Sequence, residues 1–210
     1  MRENYMRLAM ELALKGGNRV SPNPLVGAVI VKDGEIIGQG YHEEYGGPHA
    51  EINALRSAVS SPEGATMYVT LEPCCHHGKT PPCTEALIRS GISRVVVGAK
   101  DPNPLVAGKG MEILREKGIS VEMSELESEC EALNRIFFHY IRTGTPYVVM
   151  KYAMTLDGKT ATVSGRSRWI SGEASRENVH RTRNMLTAIM TGSGTVIADD
   201  PELTCRIEGG

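Results

Sequence analysis

Aromatic side chains are scarce in this 210-residue chain, with two Phe, one Trp and seven Tyr, and no block of basic residues stands beside them; the formal net charge is −2. Proteins whose main partner is nucleic acid usually carry a basic stripe or a platform of stacking aromatics. This composition therefore favours a small ligand, with no nucleic acid expected as partner. Long hydrophobic runs are missing as well. Nothing approaches the roughly 20 apolar residues of a membrane-spanning helix, so no membrane partner is expected either. The opening stretch, Met1 to Glu11, interleaves charged and apolar residues and has no signal-peptide apolar core. Cysteine occurs five times, an odd number that suits no secreted disulfide framework and points to a reducing, cytoplasmic setting.

What is present is more specific. Pro48-His49-Ala50-Glu51 is followed, 22 residues beyond Glu51, by Pro73-Cys74-Cys75-His76-His77-Gly78-Lys79-Thr80-Pro81-Pro82-Cys83. Zinc takes imidazole nitrogen and thiolate sulfur in a tetrahedral set, and a catalytic zinc keeps one position for water. His49, Cys74 and Cys83 supply three ligands and stop there. Glu51 is placed to carry protons between that water and a leaving group. H-x-E followed by P-C and a second cysteine is the order found in zinc-dependent nucleobase deaminases, where the glutamate is general acid and base and not a ligand. Here eight residues separate the cysteines in place of the usual two.

Cys75, His76 and His77 crowd the same loop and compete as ligands. Local structure favours the first set: Thr66 to Leu71 reads as a strand feeding Pro73-Cys74, and Pro81-Pro82-Cys83 opens an apolar-periodic helix. A helix N-terminus stabilises a thiolate through its dipole and unpaired amides, and prolines stiffen the approach. Two plainer readings stand beside this one. One is a structural zinc closed by a fourth ligand from Cys75, His76 or His77; the other is no metal at all, with the cysteines as small buried hydrophobes, which suits the isolated Cys130 and Cys205.

With 40% hydrophobic residues, the chain is long enough for one large domain or one and a half small ones. A first helix is expected over Glu3–Lys15, ended by Gly16-Gly17. An apolar strand over 25–31 turns at Asp33-Gly34 into 35–40, a hairpin. His49 opens a helix through Ile52, Leu55 and Val59. Strand 66–71, helix 84–90, strand 94–99, helix 108–117 and strand 119–123 follow, and the alternation implies parallel pairing of the later strands. A long helix over 124–142 precedes Thr143-Gly144-Thr145-Pro146, the best boundary in the chain. The reading is thus α/β: residues 1–144 form a three-layer α/β/α mixed sheet, and residues 145–210 a second unit. That unit is expected to hold strands at 147–153, 168–171 and around 188–190, and a polar helix over 173–185. Gly192-Ser193-Gly194 is a weak phosphate-loop signal, with a plain turn as the alternative.

The combined strings resemble those of the bifunctional riboflavin-biosynthesis deaminase-reductases. They are Asn23-Pro24-Leu25-Val26-Gly27, His49-Ala50-Glu51, Thr70-Leu71-Glu72-Pro73-Cys74, Gly78 to Cys83 and Asp101-Pro102-Asn103-Pro104, then Thr155 to Lys159, Ser167-Arg168-Trp169-Ile170 and Gly194-Thr195 to Cys205-Arg206. The resemblance implies a cytidine-deaminase-like first domain that binds Zn2+ and deaminates a diamino-pyrimidinone ribosylamine 5′-phosphate. It implies a second domain, similar to dihydrofolate reductase, that uses NADPH to reduce the ribosyl group to ribityl. It places Asn23, His42, Lys79, Asp101 and Asn103 against the pyrimidine nucleotide, with Lys79 beside its phosphate. It places Ala153, Trp169, Thr195 and Asp199 against NADPH, and Ser167, Arg183, Leu203 and Arg206 against the second substrate. Read without the resemblance, Asn23 is a turn residue, His42 a surface histidine, Lys79 a solvated loop lysine and Trp169 a core residue. Only about 65 residues follow Thr145, whereas an α/β dinucleotide-binding domain takes about 100 or more. The second unit is therefore expected to be the N-terminal portion of a reductase, unable to reduce by itself. A homo-oligomer is expected. The competing functions are a tRNA adenosine deaminase, which shares the zinc motif, and a non-catalytic zinc-stabilised module.

Overall fold

The computed structural model describes residues 2–77, 81–104 and 106–208. The chain divides into two compact units, residues 1–147 and 148–210.

In the first unit, α1 (Arg2–Leu14) buries Met6, Ala9, Leu12 and Ala13 on one stripe, and Gly17, at positive φ, ends it. Strand β1 (Gly27–Lys32) is buried along nearly its whole length, as a near-continuous apolar run demands. Asp33 and Gly34 both take positive φ, the backbone that a two-residue hairpin turn requires, and return the chain as β2 (Glu35–Tyr41). After α2 (Ala50–Arg56) come β3 (Thr66–Leu71), α3 (Cys83–Arg89), β4 (Arg94–Ala99), α4 (Lys109–Glu116) and β5 (Ser120–Met123). The strand order is β2-β1-β3-β4-β5. β1 pairs antiparallel with both β2 and β3, and β3, β4 and β5 are parallel, so the sheet is mixed as expected.

Strand parity shows the layers. Ala28 pairs with Gly40, and a Cβ on Gly40 would strike Asn53 and Ala54 of α2. On the other parity, a Cβ on Gly27 would strike the backbone of Ala9 in α1. Helices α1 and α2 therefore cover opposite faces. Gly98, on the α1 side by the same register, meets Cys130 of the helix that follows β5, whose Sγ would lie 2.6 Å from an added Cβ. Side chains alternate across a strand, so these small residues mark where each helix approaches closest.

The single helix expected over 124–142 is instead two, α5 (Glu127–Leu133) and α6 (Arg135–Thr143). Asn134 separates them. Its side chain accepts from Leu25 N at 2.7 Å and donates to Leu25 O at 2.8 Å, closing a partly buried pair across 109 residues. That backbone pairing holds Asn134 at φ −115, ψ 27, away from helical values. The helix after His49 also stops early. Val59 lies outside it, 86% exposed, and its N–H donates to Ile37 O.

In the second unit the regular elements among the described residues are α7 (Glu173–Met185), which matches the expected polar helix, and α8 (Ser193–Asp199). The strands expected at 147–153, 168–171 and 188–190 do not form there. A strand stabilises its backbone only against a neighbouring strand. Val148, Met150, Leu156 and Val163 stand largely exposed. Among the described residues, no helix is long and apolar enough to cross a membrane.

Candidate active site

Three element ends deliver the central cluster. His49 is the N-cap of α2, in extended backbone; Cys74 follows the end of β3; Cys83 is the first residue of α3. His49 Nδ1 lies 3.5 Å from Cys74 Sγ and 3.3 Å from Cys83 Sγ, and all three donor atoms lie within 4.8 Å of one another. Tetrahedral zinc, with Zn–S of about 2.3 Å and Zn–N of about 2.05 Å, would hold a nitrogen and a sulfur about 3.6 Å apart. The observed spacings fit that set. This is the only such cluster among the described residues, and Cys75, His76 and His77 are not part of it. His77 instead faces Glu85, at 3.7 Å.

The Cys83 amide donates to Cys74 Sγ at 3.3 Å. Hydrogen bonding from Cys83 and His49 pulls the Cys74 thiol down to about 4, whereas Cys83, bonded to that thiolate and buried, is pushed well above its ordinary value. The His49 imidazole is raised, chiefly by its bond to Cys74. A thiol held low in this way favours the thiolate, the form in which cysteine binds a metal.

Glu51, in the first turn of α2, is 3% exposed. Burial, and then the Cys74 charge, pushes its carboxyl up to about 7. It lines a cavity of about 300 Å³ together with Asn23, His42, His49, Cys74, Asp101 and Asn103. Residues expected from four separate strings thus meet around one space. His42 is buried rather than on the surface: its Nδ1 lies 3.0 Å from Pro48 O and its Nε2 3.1 Å from Asn23 Nδ2. With Nδ1 donating to the carbonyl, Nε2 must accept from Asn23. Burial lowers the His42 pKa, which keeps this neutral form. Burial raises Asp101 to about 6, and its Oδ1 accepts from Asn103 N at 2.8 Å. Lys79 lies outside the described residues.

One residue of the cavity wall, Glu72, and one that fastens a neighbouring segment, Asn134, were not singled out from the sequence. Asn134 fastens the Asn23-Pro24-Leu25 segment, and an Asn inside an otherwise apolar-periodic helix is the signal that could have found it. Glu72 reaches the backbone of residues 101–111 from the cavity wall; a carboxylate one residue past a buried strand was its signal.

In the second unit, Trp169 is 69% exposed and carries the Arg176 guanidinium over its ring at 4.4 Å. Ser167 is exposed beside it, and Ala153 is half-buried. Thr195 and Asp199 lie on α8 with their side chains exposed. Arg183 Nη1 donates to Thr204 O, and Arg206 N donates to His180 Nδ1, so the two arginines gather where α7 meets 204–206; Leu203 is half-buried next to them.

Residues 1–99 match the family model for the cytidine and deoxycytidylate deaminase zinc-binding region, and residues 146–210 match the RibD C-terminal domain. The riboflavin biosynthesis protein RibD of Actinobacillus pleuropneumoniae is 57% identical over 204 residues, 97% of this chain and 54% of that protein. The crystal structure of a diaminohydroxyphosphoribosylaminopyrimidine deaminase/5-amino-6-(5-phosphoribosylamino)uracil reductase from Thermotoga maritima superposes with a TM-score of 0.94 at 51% identity, covering 99% of this chain and 60% of that one. The Rib2 deaminase of Aspergillus oryzae, solved in complex with DARIPP, gives a TM-score of 0.52 at 26% identity, over 67% of this chain and 93% of that one. The chain spans about half the length of the curated relatives it matches, between 54% and 57% of the first three. On these matches, joined to the His49, Cys74, Cys83 and Glu51 geometry, the chain belongs to the RibD family.

Proposed function

We propose that the first unit hydrolytically deaminates 2,5-diamino-6-ribosylamino-4(3H)-pyrimidinone 5′-phosphate, a step of riboflavin biosynthesis. The observation that carries this reading is a buried carboxylate, Glu51, in the wall of a 300 Å³ cavity beside a His, Cys, Cys donor set. His49, Cys74 and Cys83 would hold the zinc. Bound there, zinc supplies the Lewis acidity that makes water a nucleophile at neutral pH. Glu51, with its carboxyl at about 7, is suited both to take a proton from the attacking water and to return one to the departing amine. A carbon–oxygen bond forms as the carbon–nitrogen bond breaks, and ammonia leaves.

The other cavity residues orient the ring and sugar. Because His42 Nε2 uses the Asn23 amide N–H, Asn23 has its Oδ1 to offer a ligand N–H. Asp101 and Asn103, hydrogen-bonded to one another, suit ribose hydroxyls. The Thermotoga relative, named for this deamination, supports the substrate assignment.

The second unit, by the same reading, is the N-terminal portion of the family's NADPH-dependent reductase. A dinucleotide site buries most of its ligand, yet Trp169 is largely exposed and α7 and α8 bury no residue. Residues 148–208 do not by themselves enclose NADPH, and no reduction step is assigned to them. A reducing cytoplasm, a homo-oligomeric state and no nucleic-acid partner complete the reading, supported by the odd number of cysteines, five, the exposed apolar side chains of the second unit and the net charge of −2.

Ammonia release from the pyrimidine nucleotide, measured beside cytidine and a tRNA stem-loop, tests the assignment. Turnover of the nucleotide alone is expected. Turnover of the stem-loop without the nucleotide would overturn it.

A further inference from the structure

Glu72 is 4% exposed and stands two residues before Cys74. Its Oε2 accepts from Asp101 N at 3.3 Å and Gly108 N at 2.9 Å; its Oε1 accepts from Gly110 N at 3.1 Å and Met111 N at 3.4 Å. Its own N–H donates to Ala99 O at 2.9 Å, at the end of β4. One side chain thus joins the turn that carries Cys74 to both ends of the segment that carries Asp101 and Asn103.

The chemistry of the contact is specific. The first amides of a helix have no acceptor within the helix, and the positive end of the helix dipole favours an anion there. Gly110 lets α4 approach: a Cβ on it would strike Pro73 O. From Asp101 the chain of bonds continues, since its Oδ1 holds Asn103 N. None of these four amides belongs to α2, which carries Glu51 and is capped by His49, so the proton-transfer group lies outside the clamp, and of the three metal donors only Cys74 stands on the clamped turn.

We propose that Glu72 is a positioning residue that fixes Asp101 and Asn103 at a set distance from Cys74, and so determines affinity for the ribose part of the nucleotide rather than the rate of the chemical step. The proposal rests on the deaminase reading above.

The test uses the zinc-loaded full chain and its Glu72→Gln variant, with steady-state deamination, zinc content and amide exchange read together. Gln replaces one acceptor oxygen with an NH2 that faces two amide donors. KM should rise about tenfold or more, because buried acceptors are lost, while kcat falls less than about threefold, because the transition-state groups are untouched. One zinc per chain should remain, and exchange at Asp101, Gly108, Gly110 and Met111 should speed up. An unchanged KM overturns the proposal, and so does a loss of zinc, which would make Glu72 a support of the ligand loop alone. If Glu72→Gln does not fold, Glu72→Asp, which keeps the charge and shortens the reach, is judged by the same criteria. A chain inactive before mutation refutes the deaminase reading instead; unchanged exchange at the four amides would then still overturn the clamp.

Discussion

Replacing Glu51 with Gln should separate two quantities that this one carboxyl controls. The first is turnover. An amide keeps the shape of the side chain and cannot shuttle a proton, so in the zinc-loaded protein kcat should fall by about 10²–10⁴, with one zinc per chain retained. The second is stability of the metal-free protein. Burial raises the Glu51 carboxyl from 4.5 to about 7, and each pKa unit corresponds to about 1.4 kcal/mol. A carboxyl raised on folding binds its proton more tightly in the folded state, so the fold loses stability as pH climbs between those two values. Below about pH 4.5 the cost is absent; above pH 7 it is complete, at about 3 kcal/mol by the product of the two figures. Glu51→Gln removes the ionisation, so the metal-free variant should match the parent near pH 4 and exceed it by about 3 kcal/mol at pH 8. For a unit of this size that is about 6–12 °C in Tm. Thermal melts of chelator-stripped proteins at both pH values, beside ammonia-release kinetics of the zinc-loaded forms, measure both effects. Near-normal turnover by zinc-replete Glu51→Gln refutes the proton-transfer role. A metal-free variant less stable than the parent at pH 8 refutes the account of burial.

Alanine at His49, Cys74 or Cys83 should each abolish zinc binding, since one donor is lost from a minimal set, while Cys75→Ala should retain one zinc per chain; metal analysis of the purified variants decides this. Asn134→Leu leaves the partly buried Leu25 N–H and C=O without their side-chain partner and should cost about 1–3 kcal/mol, read as a lower urea midpoint with an unchanged m-value. Gly27→Ala puts a methyl group against the Ala9 carbonyl and should destabilise by about 1–3 kcal/mol or more. A variant as stable as the parent would show that α1 can move off the sheet.

Much of the first unit was legible because its signals are local. The apolar run of β1, the Asp33-Gly34 turn, the periodic stripe of α1 and the alternation of strands with helices after residue 66 each follow from backbone sterics and one-sided burial, which act within a few residues. The donor set was legible for a similar reason: His49, Cys74 and Cys83 sit at element ends whose positions those signals locate. What only the tertiary structure decided came from partners far away in the chain. The break between α5 and α6 exists because Asn134 pairs with Leu25, 109 residues earlier. The helix from Ala50 ends before Val59 because that amide pairs with Ile37 instead. His42 reads as a surface residue until Pro48 and Asn23 are seen to occupy both ring nitrogens. Glu72 is one acid among 25 acidic residues until four amides from beyond residue 100 converge on it. The strands expected after residue 147 show the same limit from the other side. β-propensity marks a segment that fits a half-buried pleated surface, but the backbone of a strand is satisfied only by a neighbour, and whether a neighbour is in reach is a property of the folded chain and not of the segment.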